Sequence, residues 1–155
     1  EELKVPSSIV LYYSKVFAYG RVIRIEPFMD EGQEGRCVLY IEVEECLYGE
    51  CGDTLRLFTA VAPAMPRGLP GPLEGDWAFV SGKHIPTLFC YFYKEARDSL
   101  FAGKIPDPLP GAYELFTYEA IYGDTTWQGH TIEEMKVWLR AAAENKRAYL
   151  QGKRR

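Results

Sequence analysis

The chain has 155 residues, 47% hydrophobic and 14% aromatic, with a formal net charge of −4 and a pI near 5.3. That is the size of one domain, able to bury roughly 68–70% of its unfolded surface without a metal or a disulfide, and its apolar content excludes disorder. The acidic balance argues against a nucleic-acid binder, whose affinity comes from neutralising phosphates, and no run of about 18 apolar residues is present to cross a membrane.

The first element in chain order is short. Ser7 and Ser8 follow Pro6 and precede Ile9 to Tyr13, which predicts one or two helical turns ending at Ser14. From Lys15 to Glu26 the pattern changes to period two. Phe17, Tyr19, Ile23 and Ile25 share one face, Arg24 and Glu26 lie opposite, and Gly20 marks a bulge or sharp bend. Residues 27–35 carry Asp30, Gly32 and Gly35 and read as a loop. The next strand is the clearest: Cys37, Leu39, Ile41 and Val43 point inward, and Val38, Tyr40, Glu42 and Glu44 point outward. Gly49 and Gly52 turn the chain into a third strand, with Leu55, Leu57, Thr59 and Val61 inside and Arg56 and Phe58 outside.

The Pro- and Gly-rich stretch 62–75 is a loop, with a PxxP ligand for an SH3-like partner as the sharper alternative. Ring-dense strands are expected at 76–81 and 88–93, a second loop at Pro106, Pro108 and Pro110, and a last strand or irregular return at 113–122. The chain then ends in a helix over 131–151. Thr131 and Glu134 form its capping box, Ile132, Met135, Leu139 and Ala142 its apolar stripe, and Gly152 its stop. Trp138 flanks the stripe. Glu133, Lys136, Arg140 and Glu144 form the wet side, where Arg140 and Glu144 stand four apart. The basic tail (Lys146, Arg147, Lys153, Arg154, Arg155) reads as favourable charge at a helix C-terminus and a solvated end. The fold class is therefore mainly β: a small, OB-like antiparallel barrel of five to six strands, with a short N-terminal helix and a C-terminal α-helix, in one domain.

The chemistry-bearing residues are few. Cys37, Cys46, Cys51 and Cys90 include no Cys-x-x-Cys pair. Cys46 and Cys51 flank a four-residue turn, whose strand ends lie within the roughly 5–6 Å a disulfide spans. Cys37, on the inner face, is the candidate partner for Cys90. The two histidines, His84 and His130, each adjoin turn residues and read as surface positions. They have no second ligand three or four residues away, so neither metal nor cofactor is expected. A Ser-His-Asp set from Ser81 or Ser99, His84 and Asp98 lacks any nucleophile motif. Glu42, Glu44 and Glu45 alternate between faces and form no calcium cage. Gly52-Asp-Thr and Gly123-Asp-Thr are turns entering the next segment.

A series of phrases carries a family resemblance: Ser14-Lys-Val-Phe-Ala-Tyr-Gly-Arg-Val-Ile, Val43-Glu-Glu-Cys-Leu-Tyr-Gly-Glu, Gly52-Asp-Thr-Leu-Arg-Leu, Gly75-Asp-Trp-Ala-Phe-Val and Thr131-Ile-Glu-Glu-Met-Lys. Over residues 7–145 they resemble the OB-fold domains related to tissue inhibitors of metalloproteinases, the netrin-like group, in its bacterial secreted or lipid-anchored form. Tyr48 stands where the bacterial phrase has lysine. The animal inhibitors reach the protease zinc with an N-terminal cysteine. This chain begins Glu1-Glu2-Leu3-Lys4, and its first cysteine is Cys37, so that device does not carry over.

The resemblance implies an OB barrel and a secreted, periplasmic or cell-surface location, with the targeting segment outside this sequence. The functional expectation is a non-enzymatic extracytoplasmic module for an unknown protein or small ligand. Tyr40, Arg56 and Phe58, on the outer face of the middle strands, are the candidate binding residues; cross-strand pairing is their plainer reading. The alternatives are an enzyme using His84, His130 or a free cysteine, which requires those groups to converge, and an OB-fold binder of single-stranded nucleic acid.

Overall fold

Runs of β-branched and aromatic residues form the strands of the chain, whose computed structural model describes residues 13–27, 37–59, 72–84 and 112–153. They are β1 (Val16–Pro27), β2 (Cys37–Tyr48), β3 (Thr54–Phe58), β4 (Trp77–Lys83), β5 (Ala112–Tyr122) and the short β6 (Thr125–Thr126), followed by the helix α1 (Ile132–Lys153). β1 pairs with β2 and β4, β2 with β3, and β4 with β5, all antiparallel. β3 then joins β5 in parallel, which closes a five-stranded barrel; β6 extends β5 as a hairpin. The OB-like barrel is as expected except at this seam, where one pairing is parallel. Parallel neighbours need a long crossover, and the chain between Phe58 and Ala112 supplies one. Of the expected helix over 7–14 only helical Tyr13 and non-helical Ser14 are described, and of the loop over 62–75 only 72–75; the strand over 88–93, the second proline loop, Val61 and Cys90 lie outside the described residues.

Two apolar clusters lie on opposite sides of the barrel wall. The interior is filled by Val16, Ala18, Val22, Leu39, Ile41, Leu55, Leu57, Ala78, Val80 and Tyr118. The second cluster joins Phe17, Tyr19, Leu47 and Phe79 on the outer wall to Met135, Leu139 and Ala143 of α1. This corrects the reading of β1. Phe17 and Tyr19 face outward, under the helix, while the smaller Val16 and Ala18 face the barrel interior. A register shift between Val22 and Arg24 then leaves Ile23 exposed and turns Ile25 inward. Gly20 stands at the expected bulge, where the pairing with β2 shifts register between Tyr19 and Gly20, and a Cβ there would lie 2.2 Å from the Glu42 carbonyl oxygen, so only glycine permits β1 to approach β2 this closely.

α1 begins with the expected capping box. Glu134 N donates to Thr131 Oγ1 at 3.2 Å, and Thr131 N to Glu134 Oε2 at 3.3 Å. Its buried stripe ends on Ala143 rather than Ala142, and it runs through Gly152 to Lys153. Lys136 is not on a wet side. Its ammonium sits 5.0 Å from the Tyr19 ring centre and 3.5 Å from Glu45 Oε1, while Arg140 pairs with Glu45 Oε2. One β2 carboxylate thus ties the helix to the barrel. The Cys46–Cys51 disulfide is formed, with Cα atoms 5.8 Å apart. Cys37 is a free thiol rather than half of a Cys37–Cys90 bond; its Sγ faces Thr59 Oγ1 at 3.4 Å. Among the described residues no helix is long and apolar enough to cross a membrane.

Candidate ligand-binding pocket

Where α1 nears its C-terminal end it passes the strand ends of β1 and β4. Lys15 directly precedes β1, and its N–H donates to the Gly82 carbonyl at 2.7 Å, beside the Val16–Gly82 pair. Antiparallel pairing therefore places Lys15 next to Lys83, the last residue of β4. The helix delivers Lys146, whose ammonium donates to the Ser14 carbonyl oxygen. Together with His84, these residues surround an open pocket of about 490 Å³. Tyr13, Tyr48, Phe116 and Leu150 complete the described lining, which includes no carboxylate.

The rings hold the cations. Lys83 Nζ lies 4.8 Å from the Phe116 ring centre, and Lys146 Nζ lies 4.7 Å from that of Tyr48, which Arg147 also covers at 5.2 Å. Glu114 stands behind Lys83, with Oε2 3.8 Å from Nζ. That oxygen is buried and makes no hydrogen bond. Burial, and after it the charge of Lys15, pull the Lys146 ammonium down to about 8. Lys146 is thus no part of a solvated tail: it is a half-buried cation held beside another cation.

The face favoured from the sequence is organised differently. Tyr40 sits opposite Arg56 in the β2–β3 ladder. Its hydroxyl donates to Glu26 Oε2 at 3.1 Å, and the Arg24 guanidinium covers its ring at 5.3 Å. Burial, then the Glu26 hydrogen bond, push the Tyr40 phenol up. Phe58 pairs with Val38, and both are fully buried, so Phe58 offers no accessible surface. Tyr40 and Arg56 remain half-buried, in a cross-strand row of aromatic and charged contacts.

The histidines do not converge. His84 lines the pocket, as Lys146 does, whereas His130 precedes the first turn of α1, roughly 20 Å from Lys146 along the helix at 1.5 Å per residue. His130 is no surface residue: only 17% of its side chain is exposed, with Nδ1 3.7 Å from Glu134 Oε2 and a buried, unpartnered Nε2. Nearby, burial pushes the Glu119 carboxyl up, against the opposing hydrogen bond from Trp127 and the charge of His130. Among the described residues no three His, Cys, Asp or Glu side chains gather as a metal site requires.

Lys15, Lys83 and Lys146 were not singled out together from the sequence, because they stand on three separate elements. The usable signal was strand pairing: once the segments holding Val16 and Gly82 are aligned antiparallel, Lys15 and Lys83 become neighbours. No family model, curated protein or solved structure matches this chain.

Proposed function

We propose that the chain is a non-catalytic binding module that works outside the cytoplasm, as its resemblance to secreted netrin-like OB domains implies, and that its ligand occupies the pocket between β1, β4 and α1. The observation that carries this reading is the convergence of Lys15, Lys83 and Lys146 on one cavity of about 490 Å³, inside the size range of small-molecule sites. Burial disfavours the charged form of Lys146, and a bound anion would favour it. The Cys46–Cys51 bond supports an oxidising compartment, where such bonds persist.

The test is to incubate the oxidised protein with a mixture of small metabolites, then compare free and retained compounds by mass spectrometry. Retention of an unaltered compound, lost in the Lys15→Met/Lys83→Met/Lys146→Met variant, is the expected result. Conversion of a compound into a new product by the wild type alone would establish an enzyme instead.

A further inference from the structure

Resting on the reading that this pocket holds a small ligand, we propose that Lys146 captures the ligand covalently and reversibly, its side-chain amine condensing with the carbonyl group of an aldehyde whose apolar remainder lies in the cavity. Lys146 is part of the cavity lining. Its amine donates to the Ser14 carbonyl oxygen and lies 4.7 Å from the Tyr48 ring centre, so it is held in place before any ligand arrives. A nucleophile positioned in this way spends less entropy on reaching a bound partner.

Only an uncharged amine has a lone pair with which to attack a carbonyl carbon, and an exposed lysine near neutral pH is almost wholly ammonium. Burial and the neighbouring charge of Lys15 bring Lys146 down to about 8, and these are the two devices that activate a lysine for imine formation. The ammonium first gives a proton to solvent. The amine adds to the carbonyl carbon, and the resulting carbinolamine loses water. A C–N bond thus replaces the C–O bond, the oxygen leaves with the two amine hydrogens, and no oxidant or reductant is consumed. The same contacts suit the product. A protonated imine keeps one N–H, which can go on donating to Ser14, and a positive charge that stays over Tyr48. Tyr13, Phe116 and Leu150 give the cavity apolar surface for the rest of the ligand. Tyr13 and Leu150 are 58% and 37% exposed, so part of that surface is open to it.

The oxidised protein is treated with benzaldehyde and cyanoborohydride, and the modified residues are mapped by peptide mass. Hydride reduces the imine to a secondary amine, which adds the mass of the aldehyde less one oxygen atom. At about pH 7.5 roughly a quarter of Lys146 is uncharged in the fold, against about a thousandth in the unfolded chain, where it titrates at 10.5. Its lower basicity takes back part of that advantage, so labelling of Lys146 is expected to be about tenfold or more faster in the fold than in guanidinium chloride. The N-terminal amine also reacts, and the peptide map separates it. Lys146→Arg, which keeps the charge and cannot condense, should lose the pocket label while retaining amide spectral dispersion; the wild-type comparison with guanidinium stands without it. Acetaldehyde, which lacks the ring, should favour Lys146 less, and an equal preference would overturn the apolar seat. Labelling of Lys146 no faster in the fold than in guanidinium, or labelling of Lys15 or Lys83 in its place, would overturn the capture. Metabolites retained in the pocket while benzaldehyde leaves Lys146 unlabelled would overturn this inference alone. Absence of both retention and labelling would defeat the binding reading as well.

Discussion

Gly20→Ala puts a methyl group where the barrel has no room for one. The added Cβ would stand 2.2 Å from the Glu42 carbonyl oxygen, 2.9 Å from Ile41 Cγ2 and 3.1 Å from the Glu42 carbonyl carbon. Ordinary contacts of a carbon with a carbonyl oxygen begin at about 3.3 Å, so β1 and β2 must separate by about 1 Å locally. The obstruction is backbone, which cannot rotate aside. On its other edge Gly20 pairs with Ala78 of β4, so displacement of β1 strains a second ladder. Overpacking of a rigid interior costs about 1–3 kcal/mol, and this site belongs at the upper end. The loss of unfolded-state freedom on replacing glycine returns about 0.4–1 kcal/mol, leaving a net destabilisation of about 2 kcal/mol. Urea unfolding followed by circular dichroism should show a lower midpoint with an unchanged slope. A midpoint equal to or above the wild type's would refute the close approach of β1 to β2.

Leu139→Ala, at the centre of the helix–barrel cluster, should cost about 2–5 kcal/mol; a urea midpoint near the wild type's would mean that α1 does not pack on Phe17 and Phe79. Reduction, or Cys46→Ser/Cys51→Ser, opens a loop with a sequence separation of 5 and should cost about 2 kcal/mol on the chain-entropy estimate. Intact mass after alkylation without reductant should show these two thiols unmodified, and their labelling would contradict the bond. Lys146 gives a pH signature. Its ammonium feels the charge of Lys15 and lies over the Tyr48 ring that Arg147 also covers, and burial with that charge brings it down to about 8 in the fold against 10.5 in the unfolded chain. Between those values the unfolded state binds more protons, so stability rises with pH. The gain, discounted for solvent screening, is under about 1 kcal/mol. Wild-type stability relative to Lys146→Met should therefore increase from pH 7 to pH 9.5; a constant difference in urea midpoints would rule the perturbation out.

Much of the fold was legible where local spacing carries the signal. Alternation in β2 marks Leu39 and Ile41 as interior, the Thr131–Glu134 spacing marks the start of α1, and the short separation of Cys46 and Cys51 marks their bond. The pattern misled in β1 because both of its faces are buried, one by the barrel and one by the helix. The larger rings of Phe17 and Tyr19 then suggest an interior that the smaller Val16 and Ala18 fill, and the bulge at Ile23 reverses the parity beyond it. Phe58 looks outward by parity yet is fully buried, since alternation reports direction but not what covers a face. Lys136 illustrates the same point on a helix: a charge at a polar position lies over Tyr19 and beside Glu45, contacts that come from another element. The pocket was hidden for a related reason, its cations being neighbours only after the strands pair and the helix crosses their ends.

The central claim is that the ligand site lies between β1, β4 and α1, and the most direct measurement is an amide-shift map of the oxidised protein titrated with a compound retained in the metabolite screen. The account predicts saturable shifts at Lys15, Tyr48, Lys83, Phe116 and Lys146. Saturable shifts centred instead on Tyr40 and Arg56, with the pocket silent, would contradict it.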